Sequence, residues 1–278
     1  MQIMKKYENI ILLSDMDGTL LNSDSKVSDK NREAIRHFIS GGGHFGIATG
    51  RGHVNALKFL ENIEINTPSI LYNGSVLYDY STGQFIELSL LPNLLLVDYI
   101  RNCLSEFENV LVHVYSPDMN FIVSPQNSAD AEELSWHKPN TFCRIDDIIE
   151  KPWIKILLNG SPEDLAGLDN KLKEYGLEDA INKVFSSETY LELLPPLVSK
   201  GSMLVKLREH MGRDYKIYAA GDYNNDVEML VAADIGIATQ NALQNVKDAA
   251  DMVTVSNDEN AIAHIIYHLI ESSNENGK

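Results

Sequence analysis

Cysteine is scarce in this chain: only Cys103 and Cys143 occur in 278 residues, and neither sits in a Cys-x-x-Cys pair. That argues against a disulfide framework and against a zinc–thiolate site, and a reducing, cytoplasmic setting is expected. Long apolar runs are missing too. Stretches such as Ile10–Leu13 and Leu94–Val97 fall far short of the ~20 residues that cross a bilayer, so no membrane span is expected. The N-terminus lacks the charged, apolar, then small-residue order of a secretory signal. Positive charge is also short. The chain has 23 Lys and Arg against 40 Asp and Glu, a formal net charge of −17. A surface this acidic repels nucleic acid and anionic lipid, and neither is an expected partner. It also repels a phosphorylated substrate at long range. A site for one must therefore carry its own positive charge, from a metal ion, a few placed cations or helix N-termini.

What is present is the balance of a folded globular protein, 44% hydrophobic and 23% charged, with length enough for two compact domains. Ile10–Ser14 reads as a short buried strand. Ser28 can cap a helix running to Ser40, with Ala34, Ile35, Phe38 and Ile39 on one face, and Gly41-Gly42-Gly43 stops it. Phe45–Ala48 reads as a strand, His53–Asn62 as a helix and Ser69–Tyr72 as a strand. This alternation is the rhythm of a parallel α/β sheet. It returns late in the chain with strand Lys216–Ala220, helix Asp226–Ala232 and strand Asp234–Ala238. A last helix from about Glu259 sets Ile262, Ile265, Ile266 and Leu269 at helical spacing, and Glu271–Lys278 reads as a frayed tail.

The middle differs. Val76–Tyr80 and Gln84–Leu88 flank a Ser81-Thr82-Gly83 turn, as in a hairpin. After Pro92 come a helix, strands Val110–Tyr115 and Asn120–Ser124, a helix near Ala129–Trp136, and strand Trp153–Leu158. A helix with Leu165, Leu168 and Leu172 inward follows, then strands Lys183–Ser186 and Tyr190–Leu194. Adjacent strand pairs imply an antiparallel sheet with helices on one side. The expected fold is therefore α/β. A Rossmann-like parallel-sheet core is made of residues 1–82 and 191–278, and residues 83–190 form an inserted α+β domain.

Asp15-Met16-Asp17-Gly18-Thr19 directly follows the first strand. Ligands of parallel sheets bind at the carboxyl ends of the strands, and Gly18 permits the bend that would bring both carboxylates there. One could act as nucleophile and the other as proton donor; the plainer alternative is an acidic turn with a helix cap. Gly221-Asp222-Tyr223-Asn224-Asn225-Asp226 follows another strand, and such an oxygen-rich cluster suits Mg²⁺. Taken alone, it is as well explained as an Asp/Asn turn. Ala48-Thr49-Gly50-Arg51 offers a hydroxyl and backbone N–H groups for a phosphate. Lys200 opens a helix where it could neutralise a phosphate and a carboxylate together. Each of these last two is weak by itself.

In their order along the chain, Asp-Met-Asp-Gly-Thr, Thr-Gly-Arg, a lone lysine and Gly-Asp-x-x-Asn-Asp resemble the haloacid dehalogenase superfamily. Leu71-Tyr72-Asn73-Gly74, Val198-Ser199-Lys200-Gly201, the run Gly221–Leu230 and Asn241-Ala242 are similar to its Cof-type phosphatase branch, which carries an inserted C2-type cap. The likeness spans nearly the whole chain, dense in the core and thin between Gln84 and Thr189. Asn260-Ala261 departs from it, since the branch often has Asp-Gly there. The resemblance implies a Mg²⁺-dependent phosphatase of small phosphorylated metabolites that works through an aspartyl-phosphate. Asp15 would be nucleophile and metal ligand. Asp17 would be general acid and base and lend its backbone carbonyl to the metal. Thr49 would bind phosphoryl oxygens, Lys200 would pair with Asp15 and the phosphate, and Asp222 would complete the metal site. Gly18, Thr19, Gly50, Arg51, Asn73, Gly74, Asn225 and Asp226 would line the phosphate or substrate.

A phosphomutase that passes the phosphoryl group to a second sugar hydroxyl is the alternative that shares these residues. A binding protein that has lost catalysis would lack one of them, and none is missing. A monomer or homodimer is expected. In the insertion, His113 and Tyr115 alternate with Val112 and Val114; they read as packing or solvent-facing before they read as site residues, as do His53 and His137. Trp136 and Trp153 read as core.

Overall fold

The computed structural model describes residues 6–124, 139–212 and 214–271. The helix expected near Ala129–Trp136, with His137, and the tail beyond Glu271 lie outside them. In chain order the strands are β1 (Ile10–Ser14), β2 (His44–Ile47), β3 (Ser69–Leu71), β4 (Val76–Asp79), β5 (Gln84–Leu88), β6 (Leu111–Tyr115), β7 (Asn120–Ile122), β8 (Asn140–Phe142), β9 (Lys155–Asn159), β10 (Asn182–Ser187), β11 (Tyr190–Leu194), β12 (Lys216–Gly221), β13 (Ile235–Ala238) and β14 (Met252–Val253). The α-helices are α1 (Asp29–Ser40), α2 (His53–Leu57), α3 (Asn93–Glu106), α4 (Pro162–Glu174), α5 (Lys200–Met211), α6 (Val227–Ala232), α7 (Gln244–Ala249) and α8 (Ala261–His264).

The chain divides into two compact units, residues 1–87 with 199–278, and residues 88–198. The expected divisions after 82 and 190 fall earlier than these. β5 stays with the first unit because it extends the β3–β4 sheet, and β11 belongs to the second because it pairs with β9 and β10.

The first unit is built on a parallel sheet in the order β14-β13-β12-β1-β2. A bridge from Ala48 to Ile70 continues it toward β3. Every residue of β1 is buried, as expected of a parallel strand covered on both faces. Ile11, Leu13, Ile217 and Ala219 face Met203, Leu204 and Leu207 of α5 and Met229 and Leu230 of α6. α1 packs with α8, and Ala34, Ile35 and Phe38 are its buried stripe. The Ser28 hydroxyl accepts from the Asn31 N–H at 3.2 Å, so the expected cap is in place. α2 is shorter than the expected His53–Asn62, and Asn62 has a φ of +62° that no helix can contain. The last helix runs through Ile270, with wider, π-type turns after His264.

The second unit holds a six-stranded sheet, β10-β11-β9-β6-β7-β8. It is antiparallel except for β7 and β8, which run parallel. Val112, Val114, Ile156, Leu158, Leu191 and Leu193 pack on one face with Leu96, Tyr99 and Ile100 of α3 and Leu165, Leu168 and Leu172 of α4. Trp153 is core as expected, fully buried with its indole N–H donating to the Ile148 carbonyl at 2.9 Å. His113 and Tyr115 are buried and their rings stack, and His113 Nδ1 lies 2.8 Å from the Asn120 amide.

Candidate active site

The strand register explains why distant motifs meet. Ser14 lies opposite Ala220 on one side and Ile47 on the other. Asp15, Gly221-Asp222 and Ala48-Thr49 therefore leave the sheet at one level, at its carboxyl edge. The Asp15 N–H still donates to the Ala220 carbonyl at 2.9 Å, which fixes the aspartate at the strand end.

Lys200, at the first position of α5, is fully buried and donates to Asp15 Oδ1 at 2.8 Å and to Asp226 Oδ1 at 2.7 Å. Its helix is capped by Ser199, whose hydroxyl accepts from the Ser202 N–H at 3.1 Å and also bonds Glu228. The other oxygen of Asp226 accepts from the N–H groups of Asp222 at 2.9 Å and Tyr223 at 3.1 Å. Asp226 thus orients both the lysine and the loop that carries Asp222. The Thr19 hydroxyl donates to Asp222 Oδ1 at 2.9 Å. Gly18 has a φ of +74°, and a methyl group there would overlap the Asp222 carboxylate. The glycine is therefore required by a close approach as well as by the bend.

Oxygens of Asp15, Asp222 and Asp226 lie within 4.8 Å of one another. Burial raises the Asp15 carboxyl well above its ordinary range, and Asp226 adds to this; the opposing pull of Lys200 is the smaller effect. Burial and then Asp226 push Asp222 up to about 6, against the Thr19 hydrogen bond and Lys200. Burial disfavours the Lys200 ammonium, but Asp15 and Asp226 outweigh it and hold the lysine charged. Three carboxylates facing one ammonium carry a formal charge of −2 when all are ionised. Lys200 balances only one of these charges, and a hard divalent cation bound by oxygen would supply the rest. The donor set fits such an ion. Asp226 is an addition to the expected carboxylates Asp15 and Asp222; the expected set drew on the backbone carbonyl of Asp17, whose side chain turns to Arg51.

Asp17 is gripped by Arg51, with Nε to Oδ2 at 2.8 Å and Nη2 to Oδ1 at 2.7 Å. The guanidinium lies over the Phe59 ring at 4.1 Å. Its two-pronged fork is therefore engaged by a carboxylate, not free for a phosphate. Thr49 is buried and its Oγ1 accepts from the Arg51 N–H at 3.1 Å. Asn225 donates to Asn73 Oδ1 at 2.9 Å, Gly50 packs against the Asn73 amide, and Gly74 packs against Ser199 and Lys200. All the expected core residues thus belong to one connected set. Asn241 was absent from the expected site. Its amide donates to the Gly18 carbonyl at 2.8 Å and its Oδ1 accepts from the Asn257 N–H at 3.0 Å, tethering the Asp15–Thr19 turn. The signal available in sequence was only the Asn241-Ala242 dipeptide before the next helix.

A carboxylate fixed beside a buried ammonium can attack an electrophile while the ammonium screens an anionic substrate. A parallel α/β core that gathers such groups at its carboxyl edge, interrupted by a second unit, defines a class of carboxylate-dependent hydrolases. The chain belongs to the haloacid dehalogenase-like hydrolases, whose family model matches residues 12–266, and within that family it is a phosphatase. It is 28% identical to the 5-amino-6-(5-phospho-D-ribitylamino)uracil phosphatase YwtE of Bacillus subtilis, over 92% of this chain and 96% of that protein. It is equally 28% identical to the pyridoxal phosphate phosphatase YbhA of Escherichia coli, over 94% and 98%. A chloroplastic endoribonuclease YBEY of Arabidopsis thaliana is 28% identical over 92% of this chain, but the chain spans only 46% of that longer protein. Among solved structures, a haloacid dehalogenase-like hydrolase from Bacteroides thetaiotaomicron has a TM-score of 0.81 at 26% identity, covering 95% of this chain and 99% of its own.

Proposed function

We propose that the protein hydrolyses small phosphorylated metabolites with Mg²⁺ bound at the Asp15, Asp222 and Asp226 carboxylates. The observation that carries this reading is the buried Lys200 ammonium shared between Asp15 and Asp226. It leaves one carboxylate oriented at the sheet edge with positive charge beside it. Asp15 Oδ attacks phosphorus, the bond from phosphorus to the ester oxygen breaks, and that oxygen takes a proton from Asp17. Asp15 is then an aspartyl-phosphate. Water attacks phosphorus and gives its proton to Asp17, and the Asp15–phosphorus bond breaks to free inorganic phosphate. The Thr49 hydroxyl, which accepts from the Arg51 N–H, keeps its own proton to donate to a phosphoryl oxygen, and Lys200 offsets the charge between nucleophile and substrate. Mg²⁺, when bound, would neutralise the carboxylates and the transferring phosphoryl group.

Relatives named for a phosphorylated ribitylaminouracil and for pyridoxal phosphate support a small phosphorylated metabolite as substrate. The second unit, residues 88–198, is assigned the choice among such substrates because the core motifs all lie outside it. The test is phosphate release from an aryl phosphate and a panel of phosphometabolites. Asp15→Asn should remain folded and lose at least ~10³-fold in kcat. Turnover near wild type in that variant would show that water, not Asp15, attacks phosphorus. Tyr115→Phe should reorder preference within the panel while sparing the aryl phosphate; equal scaling of all substrates would remove the selecting role from that unit.

A further inference from the structure

Tyr72, Asn73 and Gly74 have φ angles of +51°, +54° and +102°. Three consecutive left-handed residues, two of them bearing side chains, are costly and persist only where their surroundings hold them. The surroundings here are the catalytic motifs. The Tyr72 N–H donates to the Arg51 carbonyl at 3.2 Å. Tyr72 is buried, with its hydroxyl 3.3 Å from His53 Nδ1 and pressed on Gly52, where a methyl group would lie 2.5 Å from it. Asn73 is 1% exposed. Its N–H donates to the Thr49 carbonyl at 3.1 Å and its Oδ1 accepts from Asn225 at 2.9 Å. A methyl group on Gly50 would come within 2.9 Å of its amide nitrogen. Gly74 lies so close to the Ser199 carbonyl that no Cβ fits, and one would also reach the Lys200 backbone nitrogen at 2.9 Å.

We propose that this left-handed turn registers the catalytic motifs against one another. Asn73 is a positioning residue for Thr49 and Asn225, and Gly74 is the spacer that sets the depth at which Lys200 enters between Asp15 and Asp226. The proposal rests on the phosphatase reading above. It replaces substrate contact by Asn73 and Gly74 with a role exerted through their neighbours.

Gly83 provides a control. It has a φ of +70° in the β4–β5 turn, and the nearest atom to an added Cβ is the Tyr78 hydroxyl at 3.9 Å. Both alanine variants are strained, Gly74→Ala more so because its φ of +102° lies outside the left-handed region that +70° still reaches, and both should melt below wild type, Gly74→Ala further. With p-nitrophenyl phosphate and Mg²⁺, Gly74→Ala should lower kcat at least ~100-fold, whereas Gly83→Ala stays within ~2-fold of wild type. Lys200→Ala should lower kcat strongly in the wild-type background and by less than ~10-fold further in Gly74→Ala, where the lysine is already displaced. If Gly74→Ala does not fold, as judged by circular dichroism, Asn73→Ala, Asn225→Ala and their double variant decide. The double variant should be no slower than the slower single variant. A folded Gly74→Ala with kcat within ~3-fold of wild type, or independent multiplying losses at Asn73 and Asn225, would overturn the proposal. An inactive wild-type protein would overturn the phosphatase reading instead.

Discussion

Arg51 holds Asp17 with two parallel hydrogen bonds while its flat face rests on Phe59. An orienting role for Arg51 and a phosphate-binding role make different kinetic predictions. Arylphosphate leaving groups such as p-nitrophenolate depart without a proton, and alkyl leaving groups require one. Arg51→Ala should therefore slow alkyl phosphates by ~10–100-fold more than p-nitrophenyl phosphate. Measuring kcat/KM for both types checks this, and equal losses would return Arg51 to the phosphate. At this scale much of the site was legible in the sequence. Asp15, Lys200 and Asp222 were named because their motifs, in that order along the chain, resemble those of the haloacid dehalogenase superfamily; taken alone, the Asp222 cluster and Lys200 have ordinary structural explanations. The partner of Asp17 was not legible. It depends on where the β2 loop lays the Arg51 side chain, and no short-range pattern encodes that.

Among the elements, the last helix illustrates how a terminal segment is tied to the core. Glu271 accepts from the Tyr7 hydroxyl and pairs with Lys6 at 2.7 Å, and His37 lies 3.5 Å away. Burial alone would raise the Glu271 carboxyl, but these partners outweigh it and hold it below its ordinary value. A depressed folded-state pKa gives stability that is fully present above the unfolded value, about 4.5, and lost as pH falls through the lower folded value. The carboxylate sits at the surface with its side chain one-fifth exposed, so solvent screening keeps the effect modest. Glu271→Gln should melt ~1–3 °C below wild type at pH 7, and the gap should close as pH falls below about 4.5. A gap that did not narrow at all as pH fell below about 4.5 would mean that packing, not charge, accounts for it. α1 was readable to its cap because Ser28, the apolar stripe and the glycine stop agree. α2 was not: beyond Leu57 its hydrogen bonds tighten from four residues back to three, as in Phe59 N–H to the Ala56 carbonyl, and no local signal marks that change.

For the whole molecule, the excess of acid matters most where it is concentrated. The Asp222 carboxyl, pushed up to about 6 by burial and then by Asp226, must lose its proton to hold a cation, so protons and Mg²⁺ compete. Because the folded-state value is raised, Asp222 favours the folded state below its unfolded value and loses that contribution as pH rises toward about 6. Metal binding should reverse the loss. Millimolar Mg²⁺ should raise Tm at pH 7.5 and do so much less at pH 5. Asp222→Asn should weaken the shift at pH 7.5, and an equal shift at both pH values would remove Asp222 from the metal site.

The sequence by itself determined most of the strands and helices, since hydrophobic spacing, caps and glycine stops act within a few residues, but not the short strands β8 and β14 or the extent of α2. It also determined the order of the motifs, and with it the family and the general chemistry. Only the tertiary structure decided which carboxylates share a site. Asp226 joins Asp15 and Asp222 while Asp17 turns to Arg51. It likewise decided that β5 belongs to the first unit and β11 to the second. These outcomes depend on register between strands and on contacts such as Lys200 with Asp15, 185 residues apart, and no local pattern carries the position of one partner to the other.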